Sequence, residues 1–290
     1  MSRFRFVDDH RAGYPVKRLC GLAGISRSGF YSWRGRPRPG REVANGVLVG
    51  QIREIHIASR GTYGRVRIMG QLRRRGVVVN HKRVARLMRL NAISGVGGPR
   101  RARRAGVHRA PAPDLIRRNF TAPAPDLRWV ADLTEFDTLE GKLHVAAVMD
   151  LHSNRIVGWA IDERRTAEIA VDALVMAIRR RRPAAGVIHH ADHGSQYTSM
   201  AFCDRALDED VRLSFGRVGT AADNAAMEAF WSTLKRELAH IYGYRIWPNR
   251  AALRAALFDY IEVFYNRERH QTRLGHKTPA EHEADLEKVA

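Results

Sequence analysis

The sequence predicts an α/β protein in which a mixed five-stranded sheet domain follows small all-α helix-turn-helix units. Apolar residues in the first 93 positions recur at helical spacing, and five runs rich in valine and isoleucine follow residue 128. The net charge also differs between the two parts of the chain: residues 1–128 carry +23 and residues 129–290 carry −3. A basic part joined to a nearly neutral one indicates a nucleic-acid-binding module attached to a second functional domain.

The basic part has other interpretations, as a solubilising tail or a surface that binds acidic protein or membrane; its buried-type residues at helical spacing favour nucleic acid. The composition, with 44% apolar and 28% charged residues among 290, is that of a globular protein. No apolar run approaches 18 residues and the first residues lack a secretory signal, so we expect no membrane partner. The two distant cysteines, Cys20 and Cys203, suit a reducing cytoplasm.

Two short helices are expected within residues 14–34, where Gly24 can supply the turn and Ser26 can cap the second helix. Arg27 would then lie where a helix-turn-helix presents its reading residues to DNA. The content of proline and glycine at residues 34–42 predicts a linker.

A second helical unit is expected over residues 43–93, with three helices of which the third is capped by Asn80. The outer face of this third helix is cationic and lacks acidic partners, which favours contact with DNA over an ordinary solvated surface. Its predicted inward residues are Val84, Leu87, Met88 and Leu90, and its predicted DNA-binding residues are Lys82, Arg83, Arg86 and Arg89.

From Trp129 onward, three strands joined by turns at Gly141 and at Ser153 and Asn154 predict an antiparallel meander. A helix, a strand, a helix, a strand and a long helix over residues 223–242 follow. This order is that of a ribonuclease H-like α/β domain, which we expect to be the catalytic core.

The predicted domain organisation has five parts. They are a helix-turn-helix-like segment (1–40), a helical DNA-binding domain (43–94), a basic linker rich in proline and arginine (95–128), the catalytic core (129–242) and a helical C-terminal extension (243–290). The linker is expected to lie along DNA phosphates through arginines that include Arg101, Arg103 and Arg104.

Three acidic residues are candidate metal ligands. Asp132 lies inside an apolar strand, where a charge is costly unless it has a function; Asp192 follows an apolar strand, and Glu228 lies beside the apolar stripe of a helix. Two-metal phosphoryl transfer requires several carboxylates at one point, because two dications about 4 Å apart must be held there. Each residue alone also fits an ordinary edge, turn or solvated helix position, so the prediction depends on the three together.

Further residues are singled out around these carboxylates. Lys235 follows Glu228 by seven residues, close to two helical turns, so it shares the face of Glu228 and can touch the DNA backbone. The loop after Asp192 suits contact with phosphate, although an ordinary turn is the alternative. Supporting positions are Gly194, Gln196 and Tyr197 in this loop, Asn224 as a substrate contact or helix cap, Asn266, Arg269 and His270 as core supports or DNA contacts, and His189 and His190 as strand residues.

The stretches WVADLTEF, HADHGSQYTS, DNAAMEAFWSTLKRE and YNRERHQTRLGHKTP, with YPVKRLCGLAGISRSGFYSW in the basic part, resemble those of the insertion-sequence-three transposase family. The chain is similar to the second-frame (OrfB-type) product of these elements, a DDE transposase related to retroviral integrases. The resemblance implies that Asp132, Asp192 and Glu228 hold two Mg²⁺ ions, for which Mn²⁺ can substitute, during DNA strand cleavage and strand transfer.

The resemblance also implies partners: terminal inverted repeats, target DNA, further copies of the chain and an upstream-frame product of the same element, in the nucleoid. Ala191 and Ala222 depart from the usual pattern, where a serine and an aromatic residue are common, but neither is a ligand. Two alternatives stay open, a ribonuclease H-type nuclease using the same triad and a non-catalytic DNA-binding protein derived from a transposase. The basic half argues against the first, and the intact triad with Lys235 argues against the second.

Overall fold

The computed structural model describes residues 3–35, 40–97, 114–117, 119–216 and 224–287. The chain forms two compact units, residues 1–51 and residues 52–290. No helix in these described ranges is both long enough and apolar enough to cross a bilayer.

The first unit contains α1 (Arg3–His10), α2 (Val16–Ala23) and α3 (Arg27–Arg34). Gly24 ends α2 with a φ of +62°, and the Ser26 hydroxyl caps α3 by accepting from the Gly29 N–H at 3.0 Å, as the sequence predicts. Helix α1 was not predicted, because its apolar face is short and consists mainly of Phe4 and Val7. The small core consists of Val7, Leu19, Cys20 and Phe30.

Helix α4 (Gly40–Ala58) spans the boundary of the two units, and α5 (Arg65–Arg74) and α6 (His81–Leu90) follow. Because α4 begins at Gly40, the last residues of the linker predicted at 34–42 are helical. The Asn80 side chain caps α6 by accepting from the Lys82 N–H at 2.8 Å, as predicted. Leu90 was expected inward but is 65% exposed. Six residues after Val84, it lies about 120° away from the buried stripe.

The second unit contains a five-stranded sheet in the order β3-β2-β1-β4-β5. The strands β1 (Arg128–Thr138), β2 (Gly141–Asp150) and β3 (Ile156–Asp162) are antiparallel, whereas β4 (Ile188–Ala191) and β5 (Arg212–Phe215) run parallel to β1. The predicted mixed sheet and meander are confirmed, and the fold is ribonuclease H-like.

Helices cover both faces of this sheet. Because side chains alternate along a strand, Trp129 and Ala131 face α7 (Ala167–Arg181) and α8 (Met200–Asp208), whereas Val130 and Phe136 face the other layer. Gly158 on β3 permits close approach of α7, since a Cβ there would lie 2.1 Å from the Ala173 carbonyl oxygen. The other layer consists of α9 (Ala225–Tyr242), α10 (Arg250–Phe258) and a π-helical segment (Asp259–Glu268).

The last part of the predicted linker packs on the sheet domain. Ile116 is buried in the core, the Leu115 N–H donates to the Ser214 hydroxyl at 2.9 Å, and Asp126 forms an ion pair with Arg181. These contacts hold residues 114–117 and 119–127 on the sheet domain, so this part of the predicted linker packs as part of that domain. Arg101, Arg103 and Arg104 lie outside the described residues.

The chain ends with a 3₁₀ turn (Thr272–Leu274) and α11 (Pro279–Glu287), and this end contacts α5. Arg74 donates two hydrogen bonds of 2.9 Å to the Glu281 carboxylate. The Tyr63 hydroxyl accepts from the His270 backbone N–H at 2.6 Å. Gly70 of α5 lies against the His276 ring, since a Cβ there would come within 2.2 Å of Nδ1.

Candidate active site

Asp132 and Asp192 are placed beside each other by neighbouring parallel strands. Val130 of β1 pairs with His190 of β4, so two further residues along each strand bring Asp132 alongside Asp192. Asp132 accepts a hydrogen bond from the Leu133 N–H at 2.8 Å, and Asp192 accepts one from the Gly194 N–H at 2.9 Å. Backbone N–H groups therefore orient both carboxylates, Asp132 within β1 and Asp192 just after β4.

Glu228 lies in the first turn of α9, and Asn224 fixes the start of that helix. The Asn224 amide donates to the carbonyl of Ala131 at 2.8 Å, which ties α9 to the residue before Asp132. Its side chain does not cap α9, so the expected role as a helix cap is wrong. The bond instead sets the position of Glu228 relative to β1.

The charge of Asp132 is unfavourable in this environment. Burial raises the pKa of Asp132 to about 7, and the charges of Asp192 and Glu228 act in the same direction, while the hydrogen bond from Leu133 opposes the shift. In the described ranges, neither Asp132 nor Asp192 forms an ion pair with a lysine or arginine. No three acidic, histidine or cysteine side chains there are close enough to hold one ion. The carboxylates are neighbours, but they do not form a closed cage.

Several buried polar atoms beside these carboxylates have no hydrogen-bond partner in the described part of the chain. Burial raises the pKa of Tyr197, and so do the charges of Asp132 and Asp192, which places its hydroxyl near both. Mg²⁺ prefers oxygen ligands and keeps several of its waters, so acidic residues surrounded by unsatisfied polar atoms fit a hydrated dication. The unpartnered atoms are Tyr197 Oη, His193 Nε2 and Asn224 Oδ1, whereas the Trp231 indole N–H is close enough to Asp132 to act against the rise in the pKa of that carboxyl.

Contacts of buried side chains hold the loop after Asp192 in place. The buried Gln196 amide donates to the Arg165 carbonyl at 3.4 Å, and the Tyr197 ring packs edge-on against Phe202. The Gly194 N–H, expected to suit phosphate, is already bonded to Asp192. These residues therefore shape the loop from the buried side, and the Tyr197 hydroxyl is the group that they bring near the carboxylates.

The predicted DNA-binding residues that the structure describes lie on helix surfaces. Lys235 on α9 is exposed and lies over the Phe136 ring, with its Nζ 5.1 Å from the ring centroid. Arg27 is exposed on α3. On α6, Lys82, Arg86 and Arg89 are exposed and Arg83 is half-buried.

The C-terminal motif supports the core. Asn266 exchanges two hydrogen bonds with the backbone of Ile156, at 3.0 and 2.9 Å. Arg269 donates two bonds of 2.8 Å to the carboxylate of Glu237, a buried residue of α9 that the sequence reasoning missed. The sequence did contain a signal that Glu237 is buried, because Glu237 falls within the apolar stripe of α9, three residues after Leu234.

Comparison with known proteins places the chain in a family. Residues 122–221 and 228–285 each match an integrase core domain family, and residues 44–103 match an HTH-like domain. The chain is 31% identical over 289 residues to the transposase InsF for insertion sequence IS3A of Escherichia coli (strain K12), covering 97% of this chain and 98% of that protein. The chain belongs to the IS3 family of transposases.

Another relative, the insertion element IS600 uncharacterized 31 kDa protein of Shigella sonnei, is 39% identical over 266 residues, covering 90% of this chain and 96% of that protein. The resemblance seen in the sequence is therefore confirmed. A chain of the simian T-cell lymphotropic virus intasome is 16% identical with a TM-score of 0.47, covering 76% of this chain and 70% of that one. The assignment to the IS3 transposases rests on the sequence relatives alone.

Proposed function

We propose that this IS3-family transposase cleaves DNA at the ends of its element and joins those ends to target DNA. The observation that carries the proposal is that Asp132 within β1 lies beside Asp192 just after β4, while the bond from Asn224 to Ala131 ties the helix of Glu228 to β1. Carboxylates with unsatisfied polar atoms beside them suit a reaction at phosphate in the presence of dications. No observation favours a nuclease limited to hydrolysis or a non-catalytic protein.

In this proposal the three carboxylates hold two Mg²⁺ ions, or Mn²⁺ in their place. When bound, such ions activate an attacking oxygen and stabilise the leaving oxygen of an in-line displacement. The residues of the chain position the carboxylates and the DNA. Asn224 fixes the helix of Glu228 against β1, the Gly194 N–H orients Asp192, and Lys235 contacts the DNA backbone.

DNA is the proposed partner of the basic residues, with Arg27 and the exposed cations of α6 gripping terminal inverted repeats or target DNA. We infer the five-part domain organisation given above, with residues 95–113 as the segment that follows phosphates. Assembly as a multimer, action with an upstream-frame product and a place in the nucleoid belong to the same proposal.

The test is incubation of the full chain with labelled DNA carrying the element's ends, with Mg²⁺ or with EDTA. We expect cleaved and joined products only with Mg²⁺, and none from Asp192→Ala. Asp172→Asn, which removes an exposed carboxylate of α7, is the matched control and should keep full activity. Activity that survives Asp192→Ala, or absence of products from the unaltered chain, would overturn the mechanism.

A further inference from the structure

The strand and the helix that carry Asp132 and Glu228 continue beyond these carboxylates. Asp132 and Phe136 are four residues apart on one face of β1, and Glu228 and Lys235 are seven residues apart on one face of α9. The contact between Lys235 and the Phe136 ring shows that the strand and the helix run side by side in this direction.

A cleft of about 420 Å³ lies at this end of β1 and α9, within the size range of small-molecule sites. Its wall combines aromatic rings with cations, an alternation that is typical of surfaces on which single-stranded nucleic acid stacks. The rings are Phe136, Tyr244 and Trp247, the cations are Lys235, Arg236 and Arg245, and the carboxylates are Glu135 and Asp137.

Trp247 is a rigid base for this cleft. Its backbone N–H donates to the Asp137 carbonyl at 3.0 Å, and its carbonyl accepts from the Leu139 N–H at 2.9 Å, so the end of β1 holds it on both sides. Tyr244 rests against it, with ring centroids 5.4 Å apart and planes tilted by 53°. Because Tyr244 is 44% exposed, it offers a ring face that nothing in the described chain covers fully.

The charges of the cleft favour a phosphate-bearing ligand. Lys235, Arg236 and Arg245 form no ion pair within the described ranges. On the opposite wall Glu135 is paired with Lys142, and the charges of Glu135 and Asp137 both act on Lys235, so two carboxylates stand against four cations and the wall keeps a net positive charge. A ligand with one flat ring and an anionic backbone matches both features of the wall.

We propose that this cleft binds one unstacked nucleotide of the DNA strand being processed, with its base against Tyr244 and its phosphates toward Lys235, Arg236 and Arg245. Seven residues of helix separate Glu228 from Lys235 by about 10 Å. With a rise of about 3.4 Å per stacked nucleotide, a phosphate at Lys235 lies about three nucleotides, or fewer in an extended strand, from the scissile phosphate, and the base against Tyr244 lies further along the strand because Tyr244 follows the end of α9. The inference rests on the proposed function, because it assumes that DNA occupies the carboxylate site.

The test measures binding of the full chain, in EDTA, to a single-stranded 12-mer and to the duplex of the same sequence. Stacking on an aromatic ring contributes about 1–3 kcal/mol per base, so Tyr244→Ala should weaken the single-strand complex about 5- to 100-fold and leave the duplex complex unchanged. Tyr244→Phe should retain single-strand affinity. Phe258→Ala is the matched control, since Phe258 is 55% exposed and also rests against a tryptophan, Trp159.

A second measurement locates the base directly. Photocrosslinking of a 12-mer with one 5-iodouracil, followed by peptide mapping, should give adducts within residues 242–247. Equal losses for duplex and single strand with Tyr244→Ala, no loss at all, or adducts confined to other segments would overturn the proposal. Because both measurements are made without Mg²⁺, they are independent of the cleavage test with Asp192→Ala, and either idea can fail alone.

Discussion

At the scale of single residues, the negative charge of Asp132 does not stabilise the folded chain unless a cation is bound beside it. Its carboxylate is buried beside Asp192 and Glu228, and the described residues give it no cationic partner. Negative charge concentrated in this way destabilises the metal-free fold, and a bound dication would remove that cost.

We therefore predict that Asp132→Asn stabilises the metal-free protein while abolishing Mg²⁺-dependent cleavage. At pH 8 in EDTA the variant should gain on the order of 1–3 kcal/mol in the free energy of unfolding, because the amide removes a buried like charge. Mg²⁺ should raise the melting temperature of the unaltered chain and not that of the variant. Asp172→Asn, on an exposed face of α7, is the control. A lower melting temperature for Asp132→Asn in EDTA would contradict this account.

His189 on the central strand β4 gives a prediction about acid stability. Burial lowers the pKa of His189 to about 3, and His190 adds to this shift. Since the unfolded chain takes up a proton near pH 6.5 and the folded chain does not, stability falls as the pH decreases from about 6.5 toward 3, by at most about 1.4 kcal/mol per unit.

In His189→Leu the buried group no longer titrates, so urea unfolding at pH 7.5 and pH 5.0 should show a smaller difference than in the unaltered chain. Leucine is similar in size and keeps the packing beside Phe202. The change in slope is the readout, whatever the substitution does at pH 7.5. Identical pH dependence of the two proteins would show that another group governs acid stability.

At the scale of elements, one buried ion pair joins the helix that bears Glu228 to the C-terminal motif. Arg269 and Glu237 have side chains only 6% and 4% exposed, and the Tyr260 hydroxyl donates to the same carboxylate at 2.7 Å. The pair fixes α9 against the end of the π-helical segment.

Arg269→Met should cost about 3–5 kcal/mol of unfolding free energy, because it leaves the buried Glu237 charge with only Arg67, at 4.0 Å. The double variant Glu237→Gln with Arg269→Met should recover part of this loss, since the buried negative charge is then removed and only Arg67 loses its partner. Lys277→Met, which breaks an exposed pair with Asp285, should cost less than about 1 kcal/mol in the same urea titration. Additive losses in the double variant would contradict the coupling.

Local signals explain which elements could be predicted from the sequence. Gly24, Ser26 and Asn80 act through neighbours two or three residues away, so their roles as turn and caps are readable from the chain. The bond from Asn224 to Ala131 joins residues 93 apart, and the pair of Glu237 with Arg269 joins residues 32 apart. Such tertiary contacts have no local pattern.

The candidate site was predictable for a related reason. Asp132 and Asp192 occur in strands whose apolar runs are plain, and Glu228 lies at a helical interval from Lys235. The burial of the Gln196 and Tyr197 side chains could not be predicted, because loop side chains follow no fixed period. The packing of residues 114–117 and 119–127 could not be predicted, because prolines and arginines surround the buried Ile116 in the sequence.

At the scale of the whole molecule, the net charge of +23 in residues 1–128 should govern how binding to duplex DNA responds to salt. Replacing Lys82, Arg86 and Arg89 with alanine should lower the slope of log affinity against log salt by about 2 to 3, since each lost phosphate contact contributes about 0.9. The matched control removes three exposed cations of the sheet domain, Arg179, Arg205 and Arg212. An equal change in both variants would mean that bulk charge alone drives binding.

The contacts between α5 and the end of the chain determine when α5 can pack during synthesis. Tyr63 and Arg74 find their partners at His270 and Glu281, about 200 positions later. During synthesis from the N-terminus, α5 can reach its final place only after the last helix has left the ribosome. A chain that stops early, even just beyond Lys235, would contain all three carboxylates and still leave α5 undocked. A single late nonsense codon would therefore give a product that has the three carboxylates but lacks the packed α5.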